Sequence, residues 1–428
     1  MEVLIPIILL FILLIIGTPV GFTLAIVGAV GLYIVGGFGA VEGIFQTAPY
    51  RNASSFILTT IPMFMLMAQY ASKSGITKEI FDGAKAWVGH FRGGLATASV
   101  IASAGIGAIS GSSSATAAMM SSIAVPEMTR LGYDKKVSLG TVCSAGTLAI
   151  MIPPSTVLIL YGILTEQSIG KLLLAGIIPG IIMTIAYVIV VWTWVRKNPE
   201  LAPTIEKVSW NVRFRSLKNF WPVLVIAVIV LGGIYTGIMT ATESAAIGSL
   251  GMLIIAKLFW KLSWKGIYDA SLNAVRTTSM IFMIIIGAHI FGYFLTISRV
   301  TPNLIGFIEG LDVSTWVIFA VICILYLILG CFMDLTAILV LTLPLIFPIT
   351  QSLGFDPIWF GIIITILGEI GLITPPLGLN VFVGASAAKV PVEIGFAGVW
   401  RFVIASLVVL IIIAIFPDLA TWLPNQIK

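Results

Sequence analysis

The sequence predicts an all-α polytopic membrane protein made of inverted repeats, with two re-entrant helical hairpins and two broken helices. Three observations predict it. Windows with almost no charge, such as "LIPIILLFILLIIG" and "FVIASLVVLIIIAIF", recur from end to end. Of the 428 residues, 59% are hydrophobic and 10% charged, whereas a soluble domain carries roughly a quarter charged residues. The stretch "IMIPPSTVLILYG", 150–162, has a near twin in "LITPPLGLNVFVG", 372–384. Helices satisfy their own backbone in hydrocarbon. The ten-residue alternation of a membrane β-barrel is absent.

Taken in order, the first spans lie at 3–17 and 19–36, with Pro19 between them, and a third covers 54–72. Glu2 stands where a signal peptide would be basic, so the first segment is expected to remain as an uncleaved span. Residues 73–92 mix Lys73, Lys78, Lys85 and Arg92 with Glu79 and Asp82 and read as a cytoplasmic arm. "GGLATASVIASAGIGAIS" and "GSSSATAAMMSSIAV" follow, each too short to cross with ease. The basic "RLGYDKK" comes next, so this pair reads as a re-entrant hairpin opening to the cytoplasm. Residues 137–165 cross outward, broken at Pro153 and Pro154. Residues 171–195 return to the loop 196–218, which has six basic and two acidic residues. Spans 219–236 and 242–256 lead out and back to Lys257, Lys261 and Lys265, and 266–297 hold a mixed arm and an outward span. The halves 315–333 and 335–351 form a second hairpin, and "SLGFDP" after it has no basic residue, so it opens outside. Residues 357–388, broken at Pro375 and Pro376, cross inward to Lys389, and 398–417 is the last span.

The net charge of 23 − 18 = +5 belongs to these cytoplasmic loops and not to a nucleic-acid site. Cys143, Cys323 and Cys331 lie in apolar runs without metal-ligand spacing and read as packing residues. Trp260, Trp264 and Trp400 read as interface anchors, and the stretches 73–92 and 257–275 as interfacial arms. His90 and His289 show no partner pattern. Glu243, in "TATES", suits a helix N-terminus.

Sliding the chain on itself by 222 residues aligns more than the prolines. Pro126 meets Pro348, and Leu131-Gly132-Tyr133-Asp134 meets Leu353-Gly354-Phe355-Asp356. Gly146 meets Gly368, the two diprolines meet, Gly162 meets Gly384, Ser112 meets Asp334 and Ala115 meets Ala337. Five crossings separate the hairpins, an odd number, so the second copy is inverted. Inverted repeats with paired broken helices point to a secondary transporter. An interior proline costs a helix about 3 kcal/mol and frees a carbonyl. Such backbone is tolerated at membrane depth where it lines a cavity. The unwound carbonyls then suit cations, and the half-helix N-termini suit anions.

The hairpin tips carry the chemistry. "SGSSSAT", 110–116, concentrates hydroxyls, and hard cations favour oxygen ligands; small-residue helix packing is the alternative. "GCFMDLTA", 330–337, puts Asp334 at membrane depth without a nearby Lys or Arg, which marks a functional site unless a distant cation pairs with it. Glu369, one turn before the second break, is a similar candidate.

"IPMFMLMAQYASKSGI", "GHFRGGLA", "SGSSSATAAMMSSIAVPEMTRLGYDKK", "MIPPSTVLILYG", "TATESAA", "GCFMDLTAILVLTLPLIFPI" and "ITPPLGLNVFVG" together resemble the large membrane (M) subunit of TRAP transporters, the tripartite ATP-independent periplasmic transporters. The match runs in order from about residue 17 to the end, with "TATES" standing where the family pattern has a proline. The resemblance implies an elevator-type secondary transporter, ion transporter superfamily-like, in the bacterial inner membrane. It implies import of an organic acid driven by a sodium gradient, a periplasmic substrate-binding protein and a small four-helix membrane subunit, expected as a separate chain. Domains follow: scaffold helices and arm over 1–92, transport domain over 93–165, scaffold and second arm over 166–314, inverted transport repeat over 315–390, and a C-terminal helix over 391–428. Sodium ions, with no organic cofactor, would bind at Ser110, Ser112, Gly146 and Pro153, and at Gly330, Asp334, Gly371 and Thr374. Substrate would touch Ser112, Ser113, Ser155, Asp334 and Asn380. A hydroxyl-rich site without arginine leans toward sialic acid over a C4-dicarboxylate. An ion channel is the alternative class. An enzyme is disfavoured, because no nucleophile–base or metal constellation is present.

Overall fold

The computed structural model of the chain describes residues 3–310 and 312–426. Glu2, on which the N-terminal expectation rests, lies outside them. Every regular element among the described residues is helical. Seven helices there are long and apolar enough to cross a membrane, or eight counting the bent pair Lys135–Met151 and Thr156–Leu164.

The repeat is visible down to individual hydrogen bonds. The first hairpin is Gly94–Ser110 and Ser113–Arg130; the second is Thr315–Gly330 and Leu335–Ser352. Ser112 caps the second helix of its hairpin by accepting from the Ala115 N–H at 3.4 Å, and Asp334 does the same with the Ala337 N–H at 3.3 Å. These are the two residue pairs that the 222 offset aligns. Each of these helices ends with a left-handed glycine, Gly132 (φ +85°) and Gly354 (φ +80°). In both, the next N–H reaches back to a carbonyl, Tyr133 to Met128 at 3.0 Å and Phe355 to Thr350 at 3.1 Å, a Schellman closure. Asp134 then caps Lys135–Gly146, and Asp356 caps Pro357–Leu372. The diprolines, each with a cis bond, separate these from the half-helices Thr156–Leu164 and Leu379–Ala388.

Between the hairpins stand the bent pair and the spans Ile169–Lys197, Trp210–Tyr235, Ala241–Phe259 and Trp264–Ile297. That is 1 + 4 = 5 crossings, and the odd number sets the two repeats in opposite orientation. Helices Val20–Ala53, Thr60–Ser74, Ala241–Phe259 and Trp264–Ile297 pack on one another, and Thr60–Ser74 and Trp264–Ile297 also touch the repeats. Helices Ile177–Lys197 and Val392–Ile415 pack on the first broken helix, where the Tyr187 hydroxyl meets Thr147 at 3.0 Å and Ser406 at 2.8 Å.

Some boundaries differ from expectation. The second arm does not exist as a separate helix: Trp264–Ile297 runs unbroken for 34 residues, ~51 Å at 1.5 Å per residue. No glycine or proline interrupts the junction between its mixed start and its apolar body, so helix formation propagates through. The first arm is separate, Ile76–Val88, set off by the left-handed Gly75. Its Lys85 bonds Glu127 of the first hairpin at 2.6 Å, with side chains 27% and 22% exposed, and a pair that water still reaches contributes about 0–1 kcal/mol. Helix Val20–Ala53 continues well past the expected end at 36, turning at Gly37 (φ 71°, ψ −174°). Glu243 and Thr240 form a reciprocal capping box, the structural role the sequence suggests.

The second repeat closes on a glycine pair. A Cβ on Gly371 would lie 2.4 Å from the Gly330 Cα, so only glycine permits this approach. Gly371→Ala is therefore expected to lower stability by about 1–3 kcal/mol, the usual cost of overpacking. Gly43→Ala, whose Cβ meets nothing within 4 Å, should leave it unchanged or raised. Thermal unfolding of the detergent-purified variants checks both.

Candidate functional site

Each hairpin tip is bonded to the break of its own repeat. The Gly111 carbonyl, in the turn of the first hairpin, accepts from the Thr156 hydroxyl at 2.9 Å and from its N–H at 3.4 Å. The Cys331 carbonyl, in the turn of the second, accepts from the Leu377 N–H at 3.3 Å. The donors lie one or two residues past a diproline, Leu377 directly after Pro376 and Thr156 after Ser155, where the helix has come apart. The two repeats are then joined: the Ser114 hydroxyl donates to Asn380 Oδ1 at 3.0 Å, and helix Ser113–Arg130 packs along Leu379–Ala388. Helix Thr156–Leu164 packs on Leu335–Ser352, and the Tyr161 hydroxyl donates to the Pro357 carbonyl at 2.6 Å. These bonds, joined by the short chain segments 111–114 and 377–380, link Thr156 and Gly111 through Ser114 and Asn380 to Leu377 and Cys331.

The sequence-predicted residues fall into this chain with different roles. Ser110 ends its helix, with its hydroxyl 2.7 Å from that of Thr116. Ser112 caps; Ser113, behind it, is buried. Gly146 is buried where its helix crosses Ser113–Arg130, its would-be Cβ 2.8 Å from that of Ala117. Pro153 lies in the break, and buried Ser155 caps Thr156–Leu164 by accepting from the Leu158 N–H at 3.2 Å. In the second repeat Gly330 and Gly371 touch backbone to backbone. Thr374 donates to the Ile370 carbonyl at 2.6 Å. Asp334 is exposed at the tip, caps its helix and has no ion pair among the described residues. Asn380 is fully buried, and its Nδ2 has no hydrogen-bond partner.

Ser114, Thr116 and Thr156 were not singled out from sequence, although the first two lie inside the quoted tip and the third directly follows Ser155. The signal that finds them is spatial: each bonds a group across a turn or across the repeats. The arrangement gathers backbone carbonyls at both tips, and the hydroxyls of Ser110, Ser112 and Thr116 at the first. It also brings together the N-termini of Ser113–Arg130 and Leu379–Ala388, where partial positive charge favours anions.

Hairpins facing broken helices, repeated in inverted orientation, define a secondary-transporter fold. Residues 7–419 match the family model of the tripartite ATP-independent periplasmic transporter, DctM component. The chain is 37% identical to the C4-dicarboxylate TRAP transporter large permease protein DctM of Pseudomonas aeruginosa, over 88% of each chain. It is 30% identical to the sialic acid TRAP transporter large permease protein SiaM of Vibrio cholerae, over 96% of each. The crystal structure of the Alcanivorax borkumensis YdaH transporter superposes with a TM-score of 0.68 at 14% identity, over 91% of this chain and 90% of that one, which shows a common fold. The chain belongs to the TRAP transporter large-permease family. It is a multi-pass membrane protein and not an enzyme.

Asp334 supplies both a cap and a charge, and these separate by substitution. Asparagine caps as well as aspartate, so Asp334→Asn should unfold like the wild type, whereas Asp334→Ala should lose about 1 kcal/mol. Thermal unfolding measures the cap. If the charge serves a cation, sodium should raise the unfolding temperature of wild type more than that of Asp334→Asn.

Proposed function

We propose that this chain is the large membrane subunit of a sodium-gradient-driven TRAP transporter in the bacterial inner membrane. In this reading a periplasmic binding protein delivers an organic acid, and a small four-helix membrane subunit completes the complex. Some relatives are fused permeases: the isethionate TRAP transporter permease protein DctMQ of Oleidesulfovibrio alaskensis is 33% identical over 89% of this chain but only 60% of its own length.

The observation that carries the reading is the contact chain joining both tips to both breaks through Ser114 and Asn380. A sodium ion at each tip would be held by Ser110, Ser112, Gly146 and Pro153, and by Gly330, Asp334, Gly371 and Thr374. Substrate would lie between, against Ser112, Ser113, Ser155, Asp334 and Asn380, with the free Asn380 Nδ2 donating to it. Residues 93–165 and 315–390 would slide as one body against the helices around Val20–Ala53 and Trp264–Ile297. Sodium would stabilise that body by fastening the loose carbonyls, and substrate would add to it.

On substrate, we favour a C4-dicarboxylate over the sialic acid that the hydroxyl-rich tip suggests. A dicarboxylate needs two positive ends, and paired helix N-termini from opposite repeats supply them without an arginine. The 37% identity to a C4-dicarboxylate permease, against 30% to a sialic acid one, supports the same choice.

The test is uptake into liposomes holding the subunit, its small partner and a binding protein loaded with labelled succinate or labelled sialic acid. An inward sodium gradient should accelerate succinate uptake at least ~tenfold, within the usual span of coupling between two ligands. Equal uptake with and without the gradient would refute sodium coupling, and sialic acid transport alone would refute the substrate choice.

A further inference from the structure

The short turn between helices Ala241–Phe259 and Trp264–Ile297 carries more positive charge than the fold explains. Lys257, Lys261 and Lys265 fall within nine residues, "KLFWKLSWK", and like charges at that spacing repel. None of the three forms an ion pair among the described residues, and Asp269, one turn beyond Lys265, pairs with none of them.

Local stability accounts for only one of these lysines. Lys257 lies in the last turn of its helix, where a cation suits the helix dipole. Lys261 has left-handed backbone (φ +51°), a conformation that glycine adopts at lower cost. Lys265 sits in the first turn of Trp264–Ile297, which holds no acidic residue, and a cation there opposes the helix dipole. Two lysines therefore stand where the backbone alone would favour a glycine and a carboxylate.

The turn is also held in shape. The Leu262 N–H reaches back to the Ala256 carbonyl at 3.1 Å, and the Leu262 side chain is buried. Lys257 Nζ donates to the Leu262 carbonyl at 3.0 Å and lies 4.4 Å from the centre of the Trp264 ring. The Phe259 ring meets that of Trp221 edge-on, with centroids 4.8 Å apart. Beside the cations, Leu258, Phe259, Trp264 and Tyr268 are exposed. A soluble anion would use the charge and leave these apolar side chains bare. A molecule with a negative head and acyl chains uses both.

We propose that this turn binds an anionic phospholipid of the cytoplasmic leaflet, its phosphate held by Lys257, Lys261 and Lys265 and its chains lying along Leu258, Phe259 and Tyr268. Basic sites at the cytoplasmic ends of membrane helices recognise such headgroups. The lipid neutralises the turn and steadies the two helices it joins, of which Trp264–Ile297 packs along Val20–Ala53 and Thr60–Ser74. Lipid binding here is independent of the coupling ion and of the transported acid.

The test uses the detergent-purified chain, alone and with its small membrane subunit. Phosphatidylglycerol should raise the unfolding temperature and remain bound in native mass spectra, and phosphatidylcholine should do neither. Lys257→Gln, Lys261→Gln and Lys265→Gln together should weaken phosphatidylglycerol binding roughly fivefold per lysine, the usual worth of one basic residue at an anionic membrane. Lys73→Gln, Lys78→Gln and Lys207→Gln together remove equal charge at exposed positions elsewhere and should leave binding unchanged. Equal loss in both triple variants would reduce the effect to diffuse surface charge and overturn the site. Inorganic phosphate or glycerol phosphate raising the unfolding temperature as much as the lipid would assign the turn to a soluble anion. Lipid binding that vanishes when the small subunit is added would assign it to that subunit. Either result overturns the proposal. Should the triple variant fail to fold, Lys265→Gln alone should still weaken binding about fivefold, and unchanged binding there would overturn the proposal too.

Discussion

A helix interrupted inside a membrane leaves backbone N–H and C=O groups that lipid cannot satisfy, and the rest of this structure is arranged around meeting that demand. The diprolines at 153–154 and 375–376 create the interruption. Each hairpin turn answers it, Gly111 accepting from Thr156 and Cys331 from Leu377. The hairpins therefore cannot be independent ornaments. Their length, their capping residues and their close glycine contacts all follow from the need to bring a turn to the broken backbone.

The same constraint explains why the functional groups are few and mostly uncharged. Ionised side chains at this depth are expensive, so the tips use serine, threonine, carbonyls and helix ends. Asp334 is permitted because it caps a helix and is exposed at a turn. Asn380 and Glu369 are buried with unused hydrogen-bonding atoms, as are the hydroxyls of Ser103, Ser121, Thr141 and Ser144 among others.

Much of this was legible in the sequence because the repeat is nearly gap-free. Ser112 and Ala115 aligned with Asp334 and Ala337, and these became the two capping pairs. Gly132 and Gly354 aligned, and both became left-handed helix ends. Asp134 and Asp356 aligned, and both became caps. Helix ends are written in local chemistry, so spacing reveals them. What spacing could not reveal is which half-helix of one repeat lies along the other. The Ser114–Asn380 bond spans 266 positions, and no local rule predicts it. The continuous Trp264–Ile297 helix was missed for the opposite reason: charge near its start suggested a boundary, but charged residues propagate a helix well. The sequence leans toward sialic acid on its hydroxyls, and the half-helix N-termini that it also reveals suit carboxylates of either class.

The account depends most on inversion. Arg130 and Ser352 are exposed, sit at the ends of equivalent hairpin helices and differ by the repeat offset, 352 − 130 = 222. With Cys143, Cys323 and Cys331 replaced by alanine, Arg130→Cys and Ser352→Cys can each be challenged with a membrane-impermeant thiol reagent from either side. The account predicts that Arg130→Cys reacts only from the cytoplasm and Ser352→Cys only from the periplasm. Labelling of both from the same side would contradict it.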